Sequence, residues 1–248
     1  MFQVKATVVD FLGDEDTYPC HFQHKIGDEF IYDGEKYVGR ICPSASPMLV
    51  PMMIEMHASG PRYIPSGYYY PFWYAPCSVK APSLKKYDGL GFKNVLKTIV
   101  EPKYHMANLA APNAFKWPPH HERTVAKGTI VICPDIRTSA LYRVEAFDIS
   151  DKGYDVPYFR RQMSILSKVL AKPGIAVARI LNEFSKEENE NIYPALSTII
   201  IEALAEELEL MGYLEIKDGK ATVPAKGQKK LEDYKKSLTA EERKALKL

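Results

Sequence analysis

The chain has 248 residues, 33 of them Lys or Arg and 31 Asp or Glu, for a formal net charge of +2. That length holds one large domain or two smaller ones, each with its own core, and the near-neutral balance excludes the cation excess of a nucleic-acid-coating protein. No basic n-region leads into an apolar stretch, and no apolar run approaches the ~18 residues of a membrane span, so the sequence predicts a cytoplasmic chain.

In chain order, Phe2 to Phe11 alternates, with Phe2, Val4, Ala6 and Val8 on one face and Gln3, Lys5 and Thr7 between them, and reads as a strand. Gly13 to Asp16 is a loop. Lys25 to Gly34 reads as a turn, a strand and a tight Asp-Gly turn. Arg40-Ile41-Cys42-Pro43-Ser44-Ala45-Ser46-Pro47 then precedes a helix over Met48 to Ala58, with Ser44 or Ser46 as its cap and Pro47 in its first turn. Met48, Met52 and Met56 share a face of that helix, which packs on the core or meets a partner. Residues 60–127 form an insert rich in proline and aromatics, peaking at Tyr68-Tyr69-Tyr70-Pro71-Phe72-Trp73-Tyr74. It is too hydrophobic for disorder. Its rings pack within the domain or against a protein partner or second copy. Gly91 to Val100 reads as a short helix within it.

Thr129 to Ile132 and Leu141 to Phe147 are strands on either side of Cys133-Pro134-Asp135. A boundary falls at Ser150 to Tyr158, giving domains 1–150 and 151–248. Helices are expected over Phe159 to Ala171, Ile175 to Phe184 and Ile192 to Met211, with Lys186 to Asn191 as a loop. A hairpin with Asp218-Gly219 at its turn follows, then a helix from Lys226 to Ser237 and a last one capped by Thr239. The fold class is α+β: a small, mainly antiparallel sheet with a packed helix, followed by a helical domain.

The chemistry gathers at the cysteines. Cys20, Cys42, Cys77 and Cys133 are widely spaced, with no Cys-x-x-Cys, so any shared site is assembled by the fold. In a cytosolic chain they stay reduced, and clustered thiols then bind metal or react. A thiol before a helix N-terminus is drawn toward thiolate, and a proline after a cysteine turns the chain away, leaving the sulfur at the edge, as at iron–sulfur ligands. His24 adds an imidazole close to Cys20. The alternative reading of each cysteine is a small buried hydrophobe.

Cys20-x-x-x-His24 ahead of Gly27-Asp28-Glu29-Phe30, then Cys42-Pro43-Ser44-Ala45 and Cys133-Pro134-Asp135, resemble a family of small proteins of anaerobic bacteria and archaea over residues 2–60 and 128–148. The resemblance implies a shared site at Cys20, Cys42 and Cys133, with Cys77 or His24 as a fourth ligand. Ile192-Tyr193-Pro194-Ala195-Leu196 and Thr222-Val223-Pro224-Ala225-Lys226-Gly227 are similar to the recognition-helix start and wing exit of PadR-type winged-helix domains. Glu202, Glu206, Glu207 and Glu209 on that helix disfavour nucleic acid as its partner.

Three readings follow. The first is a protein holding zinc or an iron–sulfur cluster, serving as a subunit or accessory of an anaerobic redox system. The second is a redox- or metal-responsive winged-helix regulator. The third is a thiolate enzyme using Cys42 or Cys133, with His24 or His57 as base and Asp135 to orient it. No phosphate-binding glycine loop, Gly-x-Ser-x-Gly or His-Glu-x-x-His is present.

Overall fold

The structure is a computed structural model that describes residues 1–11, 19–62, 128–135 and 138–248. The expected loop at 13–16 and the aromatic insert from residue 63 onward, with Cys77 and the short helix at 91–100, lie outside the described residues. The fold is α+β, with two antiparallel-paired sheets and helices. The chain divides into two compact units: Val4–Tyr32 with Lys36–Ala146, and Met1–Gln3 with Asp33–Glu35 and Phe147–Leu248.

The first unit is built on a sheet of β1 (Phe2–Phe11), β2 (Glu29–Tyr32), β3 (Tyr37–Val38), β4 (Thr129–Ile132) and β5 (Ala140–Ile149), in the order β3-β2-β1-β5-β4. β1 pairs antiparallel with β2, setting Ala6 opposite Phe30. β4 pairs antiparallel with β5, setting Val131 opposite Tyr142. The alternation expected for β1 holds: Phe2, Val4, Ala6 and Val8 are fully buried and the residues between them are half-buried. The Asp33-Gly34 turn needs its glycine, because φ there is 101°.

Helix α1 (Ser46–Ser59) covers the expected segment with Pro47 in its first turn. Two details differ. Neither serine caps it: Ala45 holds the N-cap position, and Ser46 donates to the Pro43 carbonyl at 3.0 Å. The buried stripe is Leu49, Met53, Met56 and His57, while Met48 is 52% exposed. Leu49 and Met53, four apart, outcompete the Met48–Met52 row for the core because they turn inward together with Met56.

In the second unit, α2 (Val156–Ala171) is the central helix. Its Arg161 is fully buried and donates to the carbonyls of Pro194 (2.7 Å), Glu188 (3.0 Å), Asn189 (3.1 Å) and Ile192. One planar fork thus satisfies four carbonyls, two at the end of a short helix and two in the irregular stretch after it, which a lysine could not do. The helix expected over Ile175 to Phe184 is instead β6 (Ile175–Ala176) running into a 3₁₀ segment, Val177–Glu183; pairing of Ile175 with Ala221 takes the first residues into a sheet. The loop expected at Lys186 to Asn191 contains α3 (Lys186–Glu190), nucleated by a capping box between Ser185 and Glu188. α4 runs only from Thr198 to Leu210, because Pro194 does not fit a helix interior and Ser197 supplies the cap. β7 (Glu215–Lys217) and β8 (Lys220–Thr222) form the expected hairpin, with Asp218 and Gly219 both at positive φ. The three short strands lie in the order β6-β8-β7. α5 (Ala225–Ser237) and α6 (Ala240–Leu246) follow, the latter with a Thr239–Glu242 capping box. Among the described residues, no helix is long and apolar enough to cross a membrane.

Candidate metal centre

Three turns of the first unit carry the cysteines. Cys20 opens a turn closed by the Gln23 N–H onto the Cys20 carbonyl at 2.8 Å, with Gln23 at positive φ. Cys42 opens the turn into α1, its carbonyl taking the N–H groups of Ala45 and Ser46. Cys133 follows β4, and its N–H donates to the Ala140 carbonyl at 2.9 Å. All three thiols are free; Cys42 and Cys133 are buried in one core with Tyr142, and Cys20 packs against that core.

Burial first, and then negative charge on Cys42, Asp135 or Cys20, push the Cys133 thiol up to about 11. Opposing this, the Asp135 N–H donates to Cys133 Sγ at 3.5 Å. The net direction runs away from the activated thiolate that a nucleophilic Cys133 requires. Tyr142 is 1% exposed, and its phenol is held well above the usual range, first by burial and then by the charge of Cys133, Cys42 and Cys20.

His24 completes the group. It is 94% buried by residue surface, at 6% exposure. Its ring lies 4.9 Å from Phe22 and 6.0 Å, edge-on, from Tyr142. Nδ1 stands 3.0 Å from Asp28 Oδ2. Asp28 also accepts the Lys25 N–H at 3.0 Å, and this bond first, the imidazole second, holds its carboxyl below the ordinary value. An ionised carboxylate only accepts, so Nδ1 donates to Asp28. Nε2 is buried and, among the described residues, has no hydrogen-bond partner. Arg40 fixes the same loop, donating to the Phe22 carbonyl at 2.8 Å and lying 4.6 Å over the Phe22 ring.

The structure therefore brings Cys20, His24, Cys42 and Cys133 to one end of the core, around Tyr142. His57 is buried elsewhere on α1, edge-on to Tyr32 at 4.9 Å, and His21 is exposed. The donor set suits a soft metal: three sulfurs, and a histidine whose other nitrogen is oriented by a carboxylate. Among the described residues, however, no three His, Cys, Asp or Glu side chains stand close enough to hold one ion. Asp28 and Tyr142 were not read as site residues from sequence, although Asp28 sits four positions after His24 in the Gly-Asp-Glu-Phe motif. Tyr142 carries no sequence signal beyond a strand position on the opposite face to Leu141. No protein-family model, curated protein or solved structure matches the chain.

Proposed function

We propose that the first unit holds a thiolate-ligated metal centre, an iron–sulfur cluster ahead of a single zinc ion, and that the protein serves as a subunit or accessory of an anaerobic redox system. The observation that carries this reading is the buried, unpartnered Nε2 of His24. An unsatisfied buried polar atom costs roughly 1–3 kcal/mol, and the His24 ring packs edge-on against Tyr142, which shares its core with Cys42 and Cys133. The Cys20, Cys42 and Cys133 sulfurs and His24 Nε2 would hold the centre. When bound, a cluster supplies one-electron chemistry. The chain's part is to exclude water by burial and to donate the Asp135 N–H to the Cys133 sulfur. The resemblance to the Cys-Pro proteins of anaerobes supports the redox setting.

The second unit we read as winged-helix in type. The reading is supported by a helix, a strand, two helices and a hairpin in that order, with the first strand pairing to the second strand of the hairpin. The exposed face of α4 begins with Ile199 and Glu202 and lacks a basic side chain, which suits protein docking better than a DNA groove.

The test is iron and sulfide analysis of protein purified without oxygen. Stoichiometric iron and sulfide, lost in Cys42→Ser and lowered 10- to 100-fold in affinity in Asp28→Asn by the second-shell effect, is the expected result. Colourless, metal-free wild-type protein overturns the reading.

A further inference from the structure

The surface of the second unit carries charge of opposite sign on two neighbouring elements. On α4, Ile199, Glu202, Glu206 and Glu209 fall three or four positions apart and so share one face of the helix. Ile199 is 78% exposed, and Glu202 is exposed too. The row ends at the hairpin, where the Glu209 carboxylate takes the Ile216 N–H of β7 at 3.2 Å. The hairpin is basic. Lys217 and Lys220 stand directly opposite each other across its strands, both exposed. Like charges in that position repel, and the turn alone gives no reason for them. Lys217 has Glu215 at 3.4 Å. Among the described residues, Lys220 has no ion-pair partner, and neither has Glu202 on α4 or the exposed Lys229 on α5. Other charges of the unit are matched within it, as at Lys168–Glu188 (2.6 Å) and Lys230–Asp148 (2.8 Å).

We propose that the α4 face and the hairpin together form a self-complementary interface whose occupant is a second copy of this chain. Under a two-fold axis each patch meets its counterpart twice, so an isologous interface must carry both members of every complementary pair. An acidic row beside a basic hairpin meets that requirement. The α4 face of one protomer lies against the hairpin and the start of α5 of the other, and the same contact recurs across the axis. Ile199 is the apolar anchor of each contact, rimmed by charge. The matched charges set register and orientation more than affinity. A DNA groove is the poorer occupant, because the same row would set carboxylates against phosphates. The proposal names what covers the α4 face read above as a protein-docking face, and it rests on that reading and not on the metal centre.

The experiment measures the mass of the whole chain in solution by sedimentation equilibrium, at low and high salt, for wild-type protein and two charge-reversed variants. Wild-type protein is expected to form a dimer at low salt. Its dissociation constant should rise at least about tenfold at ~1 M salt, where the screening length is only ~3 Å. Glu202→Lys, and separately Lys220→Glu with Lys229→Glu, should each weaken the dimer at least about tenfold, because a two-fold contact feels every reversal twice. Mixing the two variants one to one should restore dimers, since each then offers the charge the other needs; mixing would not repair a folding defect. Wild-type protein that stays monomeric at low salt overturns the proposal. So does a dimer that both reversals leave unchanged, or a pair of variants that stay monomeric when mixed. Monomeric wild-type protein that binds duplex DNA, and loses it in Lys220→Glu with Lys229→Glu, overturns the docking reading as well. The metal reading is untouched by each of these results.

Discussion

A thiol surrounded by apolar side chains keeps its proton, and Cys133 is the clearest case in this chain. Burial lifts its pKa from 9.0 to about 11, so at pH 8 the thiolate fraction falls about a hundredfold relative to the unfolded chain. Iodoacetamide at pH 8 is therefore expected to label Cys133 at least about a hundredfold more slowly in native protein than in denaturant, as read by peptide mass spectrometry. Native labelling at the denatured rate would revive Cys133 as a nucleophile. The same proton links the thiol to metal, because a ligand sulfur must first give it up.

At the scale of elements, the second unit depends on one close approach. Gly227 stands in the first turn of α5, where a Cβ would lie 2.1 Å from the Tyr213 carbonyl oxygen and 2.8 Å from Val223 Cγ1. Helix propensity favours alanine over glycine by ~1 kcal/mol, but the collision is with backbone and costs more, about 2 kcal/mol or above net. Gly227→Ala should lower the melting temperature by roughly 10 °C, while Lys229→Ala, at an exposed site on the same helix, should leave it within about 1 °C. A higher melting temperature for Gly227→Ala would show that α5 does not pack so closely on that strand end. Much of the element order was legible, because period-two alternation in Phe2–Phe11 and the Asp218-Gly219 turn are local signals. Other elements depended on non-local partners. Ile175-Ala176 looks helical until β8 is there to pair with it, and the irregular stretch before α4 is set by the Arg161 fork reaching across from α2. The Ser185–Glu188 box was in the sequence and was outweighed by its acidic, loop-like neighbours. At the site, the cysteines and His24 were legible as residue types near turns, whereas Tyr142 is identifiable only once the hairpin folds it over the thiols.

At the scale of the whole molecule, the proposed function is tested by whether metal stabilises the unit that holds the thiols. A ligand that binds only the folded state adds RT ln(1 + [L]/Kd), ~2.7 kcal/mol at a hundred times Kd. Amides in β1, β2, β4 and β5 that exchange by full opening of their unit should then exchange about a hundredfold more slowly in the loaded protein. The effect also has a pH sign. Cys133 is protonated throughout the neutral range, since its pKa is held near 11, so its ligation releases one proton and apparent affinity rises about tenfold per pH unit for that thiol alone. Between pH 6 and pH 8 the gain should be at least about a hundredfold, and iron retained at pH 8 should be shed as the pH is lowered. Hydrogen exchange with iron and sulfide at the two pH values measures both terms together: protection of residues 2–11 and 140–146 that is large at pH 8 and small at pH 6 fits a centre whose ligands include a buried, neutral thiol. Protection independent of pH would mean that Cys133 is not a ligand and that the centre, if retained, is held by Cys20, His24 and Cys42 without it.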